Sequence, residues 1–113
     1  MIHRLLIIDD EPDLLFALKG MLRTPDRKIF TAINGAEALA LYQPVHCVVC
    51  DMNMPVMNGI EFIRRLRALG SEVPVIFFTA HGDDELMKQA ALYGAFDFIS
   101  KPLFEDLREV VEA

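Results

Sequence analysis

No stretch of this chain is apolar for long enough to cross a membrane, and no signal peptide is expected, since Met1-Ile2-His3-Arg4 is read as running straight into a strand. The default compartment is therefore the cytoplasm. Positive charge is in short supply, with eleven Lys and Arg against seventeen Asp and Glu and a net charge of −6. That balance argues against this domain gripping nucleic acid through its phosphates. Part of the negative surplus lies in one acidic cluster, so a cation or a basic partner surface is its expected company. Cysteine is limited to Cys47 and Cys50. Their C-x-x-C spacing is that of a redox or zinc motif, but inside a strand side chains three apart face opposite sides of the sheet. No second pair exists to complete a zinc site, and both are read as core packing. Low-complexity linkers and internal repeats are also missing. What remains, 113 residues at 53% hydrophobic and 25% charged, is one globular domain long enough to bury a real core.

Four short apolar runs each end on a polar residue that phosphoryl chemistry uses. Leu5-Leu6-Ile7-Ile8 runs into Asp9-Asp10, and Cys47-Val48-Val49-Cys50 into Asp51. Val75-Ile76-Phe77-Phe78 runs into Thr79, and Phe96-Asp97-Phe98-Ile99 leads through Ser100 to Lys101-Pro102. A further strand is expected over Ile29 to Ala32. Between the strands lie helical patterns. Pro12 opens the first, with Leu14, Leu15, Leu18, Met21 and Leu22 at helical spacing. Asn34-Gly35-Ala36-Glu37 and Asn58-Gly59-Ile60-Glu61 both read as an N-cap with a reciprocal Glu, the first helix running through Leu41 and the second stopping at Gly70. The next helix is expected to begin near Asp83-Asp84-Glu85 and to close at Gly94. The last carries Phe104, Leu107, Val110 and Val111, and the chain is expected to be cut short inside it, on Glu112-Ala113, with no output domain.

Near-continuous apolar strands alternating with helices predict a parallel sheet covered on both faces. The expected fold is a flavodoxin-like, doubly wound α/β domain, (βα)5, with strand order 2-1-3-4-5. Its switch point lies between the first and third strands, which end at Asp9-Asp10 and at Asp51. Three crowded carboxylates repel one another unless a cation joins them. All-oxygen ligation with open positions suits Mg²⁺ or Mn²⁺. A carboxylate beside such an ion, faced by the Lys101 ammonium and the Thr79 hydroxyl, can attack a phosphoryl group in line, making Asp51 an aspartyl phosphate. The M-x-M-x-x-M run Met52, Met54 and Met57 is read as core and loop packing and not as a Cu(I) site.

With Ile7-Ile8-Asp9-Asp10-Glu11, the stretch from Asp51 to Gly59, Phe78-Thr79-Ala80, and Gly94 to Phe98 closing on Lys101-Pro102, the chain resembles the receiver domain of bacterial two-component response regulators over essentially all its length. The resemblance implies that Asp51 accepts phosphoryl from a phosphohistidine on a sensor histidine kinase or phosphotransfer protein. It implies that Asp10, Asp51 and the backbone carbonyl of Asn53 hold Mg²⁺ directly, with Asp9 acting mostly through water. Thr79, the Ala80 N–H and Lys101 would hold phosphoryl oxygens, and the Lys101-Pro102 bond is expected to be cis. Phe98 would turn inward in step with Thr79, changing a face made of the fourth helix, fifth strand and fifth helix that controls an output domain or protein and can pair two copies. Many members have Tyr there, so Phe98 reports by packing alone. Asn53 and His81 would set the lifetime of the phosphorylated state. Two rival readings stand beside it: a Mg²⁺-dependent aspartyl-phosphate hydrolase of the haloacid dehalogenase type, and a degenerate receiver acting only in protein binding. The first resembles D-x-D after a strand, where this chain has Asn53 and no general acid. The second predicts loss of Asp51, Thr79 or Lys101, and all three are present.

Overall fold

A computed structural model describes residues 3–40, 44–80 and 84–112. Strands β1 (His3–Ile8), β2 (Arg27–Ala32), β3 (Cys47–Cys50), β4 (Val75–Thr79) and β5 (Asp97–Ser100) alternate with helices α1 (Pro12–Met21), α2 (Gly35–Ala40), α3 (Gly59–Ala68), α4 (Asp84–Leu92) and α5 (Phe104–Glu112). The sheet is parallel throughout, in the order β2-β1-β3-β4-β5. This is the flavodoxin-like arrangement that the alternating pattern requires. Two strands reach one residue past their apolar runs, so Thr79 and Ser100 lie inside the sheet and pair with each other. The expected end of α2 at Leu41 and the start of α4 at Asp83 lie outside the described residues.

The period-two alternation of each strand divides the core in two. Leu5, Ile7, Cys47, Val49, Ile76 and Phe78 point to the face covered by Leu15 and Leu18 of α1 and Leu107 and Val111 of α5. Leu6, Ile8, Val48, Cys50, Val75 and Phe77 point to the other, against Phe62, Ile63 and Leu66 of α3 and Ala90 of α4. Cys47 and Cys50 therefore face opposite sides, and burial pushes the Cys47 thiol up to about 11. Met52, Met54 and Met57 are buried in the second cluster, as packing residues.

Helix ends follow local chemistry. The Asn34 side chain accepts from the Glu37 N–H at 2.8 Å, and Glu37 reaches back to the Ile33 N–H at 3.2 Å. Asn58 likewise caps α3 by accepting from the Glu61 N–H at 2.9 Å. Here the reciprocal half of the expected cap is missing, because the Glu61 carboxylate binds Arg64 and Arg65 one turn on. Two adjacent guanidiniums outcompete a single backbone N–H for one carboxylate. The α3 and α4 ends are both Schellman turns with glycine at positive φ, Gly70 at 89° and Gly94 at 76°. The Ser71 N–H bonds the Leu66 carbonyl at 3.3 Å and the Ala95 N–H that of Ala90 at 3.2 Å.

Candidate functional site

Parallel pairing fixes the site before any side chain is considered. Ile8 of β1 sits opposite Cys50 of β3, so Asp9 and Asp51 leave the sheet side by side. The Asp51 N–H donates to the Ile8 carbonyl at 3.0 Å and the Asp9 N–H to that of Ala32 at 3.1 Å. Since β1 turns toward β2 on one side while β3 lies on the other, this is the crevice of the topological switch point. Across β4 and β5, the Lys101 N–H bonds the Thr79 carbonyl at 2.9 Å, which brings that residue to the same edge. The Lys101-Pro102 peptide is cis.

Two of the three acidic side chains are held by their own turns. Asp9 Oδ1 accepts from the Glu11 N–H at 3.0 Å, and Asp51 Oδ1 from the Met52 N–H at 2.7 Å. The remaining oxygens face the Lys101 ammonium, Asp9 Oδ2 at 2.8 Å and Asp51 Oδ2 at 3.4 Å. Asp9, Asp51 and Thr79 are buried, while Asp10 is exposed at the rim. One carboxylate oxygen from each of Asp9, Asp10 and Asp51 lies within 4.8 Å of the others. Burial pushes the Asp51 carboxyl above its ordinary range; the Lys101 ammonium opposes the rise and the Asp9 carboxylate adds to it. Burial works against the charge on Lys101, but its bonds to Asp9 and Asp51 outweigh that, and its pKa is raised.

Three ionised carboxylates against one ammonium leave a local charge of −2, and the donors are all oxygen. A divalent hard cation neutralises that excess, so the residues present fit Mg²⁺ or Mn²⁺. A second feature points to an oxyanion. The Thr79 hydroxyl is buried with no hydrogen-bond partner among the described residues. A buried hydroxyl left unmatched costs about 1–3 kcal/mol, which an acceptor oxygen placed there would recover.

Of the residues read from sequence, Asp9, Asp10, Asp51, Thr79 and Lys101 come together at one edge. Asn53 and Ala80 are exposed in the loops after Asp51 and Thr79. Phe98 is half-buried against the core, its ring stacked on Phe77 at 5.8 Å between centroids. His81 lies outside the described residues. Sequence reasoning missed Gly59, treated only as part of a cap. A Cβ there would meet the Asp51 carbonyl oxygen at 2.6 Å and the Phe77 ring at 2.7 Å, so this glycine lets α3 pack against the end of β3. It also missed Val56, which holds φ at 70°, a costly left-handed conformation for a β-branched residue, in the loop after Asp51.

The chain matches the family model described as the response regulator receiver domain over residues 5–112. It is 38% identical over 103 residues to the transcriptional regulatory protein PrrA of Mycobacterium tuberculosis, which covers 88% of this chain and 43% of PrrA. It is 33% identical over 114 residues to the regulatory protein AtoC of Escherichia coli, covering 98% of this chain and 25% of AtoC. The chain thus spans less than half the length of these curated relatives. Among solved structures, the BeF3-activated DrrB receiver domain superposes with a TM-score of 0.89 at 27% identity, over 99% of this chain and 96% of that one. The chemotaxis protein CheY4 of Vibrio cholerae superposes with a TM-score of 0.90 at 26% identity, over 99% and 98%.

Proposed function

This chain belongs to the response regulator receiver domain family, a family of signalling modules, and from that premise we propose that Asp51 is its phosphoacceptor. An Asp51 carboxylate oxygen attacks the phosphorus of a phosphohistidine on a partner sensor kinase or phosphotransfer protein. The new O–P bond forms as the P–N bond breaks, and the imidazole leaves with the electron pair. Asp10, Asp51 and the Asn53 carbonyl would hold Mg²⁺, with Asp9 acting mostly through water. The ion would supply positive charge for the phosphoryl oxygens. Lys101, now shared between Asp9 and Asp51, is the second cation for those oxygens. The Thr79 hydroxyl and the Ala80 N–H donate to the remaining ones. Asn53 and His81 are assigned the control of water access, and so the lifetime of the acyl phosphate.

The observation that carries this reading is one buried carboxylate, Asp51, set between two further carboxylates and an ammonium, with an unpartnered hydroxyl buried nearby in the same sheet. Occupation of Asp51 draws Thr79 toward it and lets Phe98 repack, altering the α4–β5–α5 face as a shift between two packings. We further propose that this face governs an output elsewhere in a longer regulator, or pairs two copies. PrrA and AtoC, by their names regulatory proteins, are the model for such an output. No helix among the described residues is long and apolar enough to cross a membrane.

The test is incubation with Mg²⁺ and a small acyl-phosphate donor, followed by intact mass. One added phosphate is expected, absent in Asp51→Asn. A wild-type mass that stays unchanged, or an adduct that survives the substitution, overturns the proposal. Rapid multiple turnover of a phosphomonoester would instead favour a hydrolase.

A further inference from the structure

Away from the acidic edge, four of the chain's eleven Lys and Arg residues lie close together. Phe16, Lys19 and Gly20 share one side of α1, with Arg23 one turn further on past the helix end. Arg27, Lys28 and Ile29 of β2 form the facing wall of a groove of about 570 Å³. The groove sits at the C-terminal end of α1 and the N-terminal half of β2, the opposite end of the sheet from Asp9 and Asp51.

Three features set it apart from ordinary solvated surface. First, four of the eleven Lys and Arg residues line it in a chain of net charge −6, and none of the four is in a salt bridge among the described residues; Arg27 donates to the Leu22 carbonyl and the Lys28 ammonium lies over the Phe30 ring, which leaves Lys19 and Arg23 to face the groove. Second, Phe16 is 84% exposed at its mouth, on a helix that buries Leu15 and Leu18. Third, Gly20 lies inside α1, where glycine costs about 1 kcal/mol relative to alanine. A Cβ at Gly20 would meet nothing within 4 Å, so packing within the domain does not demand glycine there. What the glycine does keep is an open floor between Phe16 and Arg23.

We propose that this groove docks an acidic polypeptide segment of a partner protein, its carboxylates on Lys19 and Arg23 and an apolar side chain over Phe16 and Ile29. Charge complementarity selects this occupant. A short acidic segment feels the four cations within a Debye length of about 8 Å. A second copy of this chain, or a nucleic acid, would bring its whole negative charge against a domain that is itself strongly negative. The outer edge of β2, which has no neighbouring strand among the described residues, is available for an extended segment to run alongside.

The inference does not depend on the assignment of Asp51. Its test is fluorescence anisotropy with a short labelled peptide of glutamates around a central leucine and phenylalanine, and a lysine peptide of the same length as control. Expected is salt-sensitive binding of the acidic peptide only, weakened about tenfold or more by Lys19→Glu combined with Arg23→Glu, and equally by Gly20→Leu, which fills the floor. Gly20→Ala should raise the melting temperature and leave binding in place, separating occupancy of the groove from damage to the fold. Absence of binding, or binding indifferent to Lys19→Glu with Arg23→Glu and to Gly20→Leu, overturns the proposal. So does self-association that Lys19→Glu abolishes, which would make the occupant a second copy. Displacement of the peptide by a single-stranded oligonucleotide at lower concentration would make it nucleic acid.

Discussion

Asp51 sits where burial disfavours its charged form, and this has a measurable sign. Its carboxyl is raised chiefly by burial, with the Asp9 carboxylate adding to the rise against the pull of Lys101. Above the raised value the charged form weakens the fold; as pH falls through that value toward the ordinary 3.8, protonation removes the penalty. Without divalent metal, Asp51→Asn should therefore be more stable than the wild type at pH 7, by about 1 kcal/mol, the ordinary size of a single-residue effect. Thermal melts across pH should show the gap closing on acidification. Mg²⁺ should reverse the order, since binding at a hundredfold excess over Kd adds about 2.7 kcal/mol to the form that binds it. A gap that widens in acid, or melts that ignore Mg²⁺ in both forms, contradicts the account. Lys101 works in the opposite range. Its raised pKa contributes stability that is complete below 10.5 and is lost as pH rises through the folded value. Gly59 is the second residue on which the site turns. Gly59→Ala presses a methyl onto the Asp51 carbonyl and the Phe77 ring, and should cost about 1–3 kcal/mol in denaturant melts. Modification of Asp51 should slow in the same variant.

At the scale of elements, Arg67 near the end of α3 ties two loops together. Its guanidinium donates to the Tyr93 carbonyl at 2.7 Å, to that of Gly94 at 3.3 Å, and to those of Ser71 and Val73 at 3.2 and 2.9 Å. One side chain thus closes the turn before β4 and anchors the C-terminal end of α4. Arg67→Met keeps the stem and removes the donors, so a loss of roughly 2–4 kcal/mol is expected from the carbonyls left unmatched. Amide exchange should speed up most around 93–96 while α1 stays protected; uniform loosening would argue against a local anchor. Arg67→Lys should recover only part of the loss, because an ammonium lacks the planar fork. No periodicity announces this role, since the four acceptors are backbone atoms in loops. The same limit explains what else sequence left dark. Strand identity and order were legible because runs such as Val75-Ile76-Phe77-Phe78 have one economical use, burial on both faces of a parallel sheet. The site edge was legible because each run ends on a chemically distinctive residue. Illegible were contacts that depend on exact separation across the fold. Lys101 and Asp9 meet across 92 positions, and nothing local says that the ammonium bonds Asp9 more closely than Asp51. The Glu61 cap failed for a local reason that sequence did contain, Arg64 and Arg65 beside it.

Across the whole molecule, a buried ring and a half-buried one, Phe77 and Phe98, lie between the strand that ends at Asp51 and the α4–β5–α5 face. Gly59 lets α3 come close to both the Asp51 carbonyl and the Phe77 ring, and Phe98 of β5 stacks on that ring at an interplanar angle of 14°. Phe77 also pairs with Cys50 on β3, the residue before Asp51. A tightly packed core passes displacement on instead of absorbing it, because it holds few voids. If Phe98 changes packing when Asp51 is occupied, Phe77 is the surface against which it moves. Phe77→Leu removes the flat ring while keeping an apolar side chain, at a cost of about 1–3 kcal/mol. Beryllofluoride, a phosphoryl mimic, should still bind at Asp51 with Mg²⁺ in this variant. In the wild type, NMR shifts are expected to extend from Asp51 to Phe98 and into α4. In Phe77→Leu the shifts near Asp51 should persist while those of Phe98 and α4 shrink severalfold. Undiminished shifts at Phe98 would mean that the signal reaches the far face by the Thr79–Ser100 pairing of β4 and β5 and not through the aromatic stack.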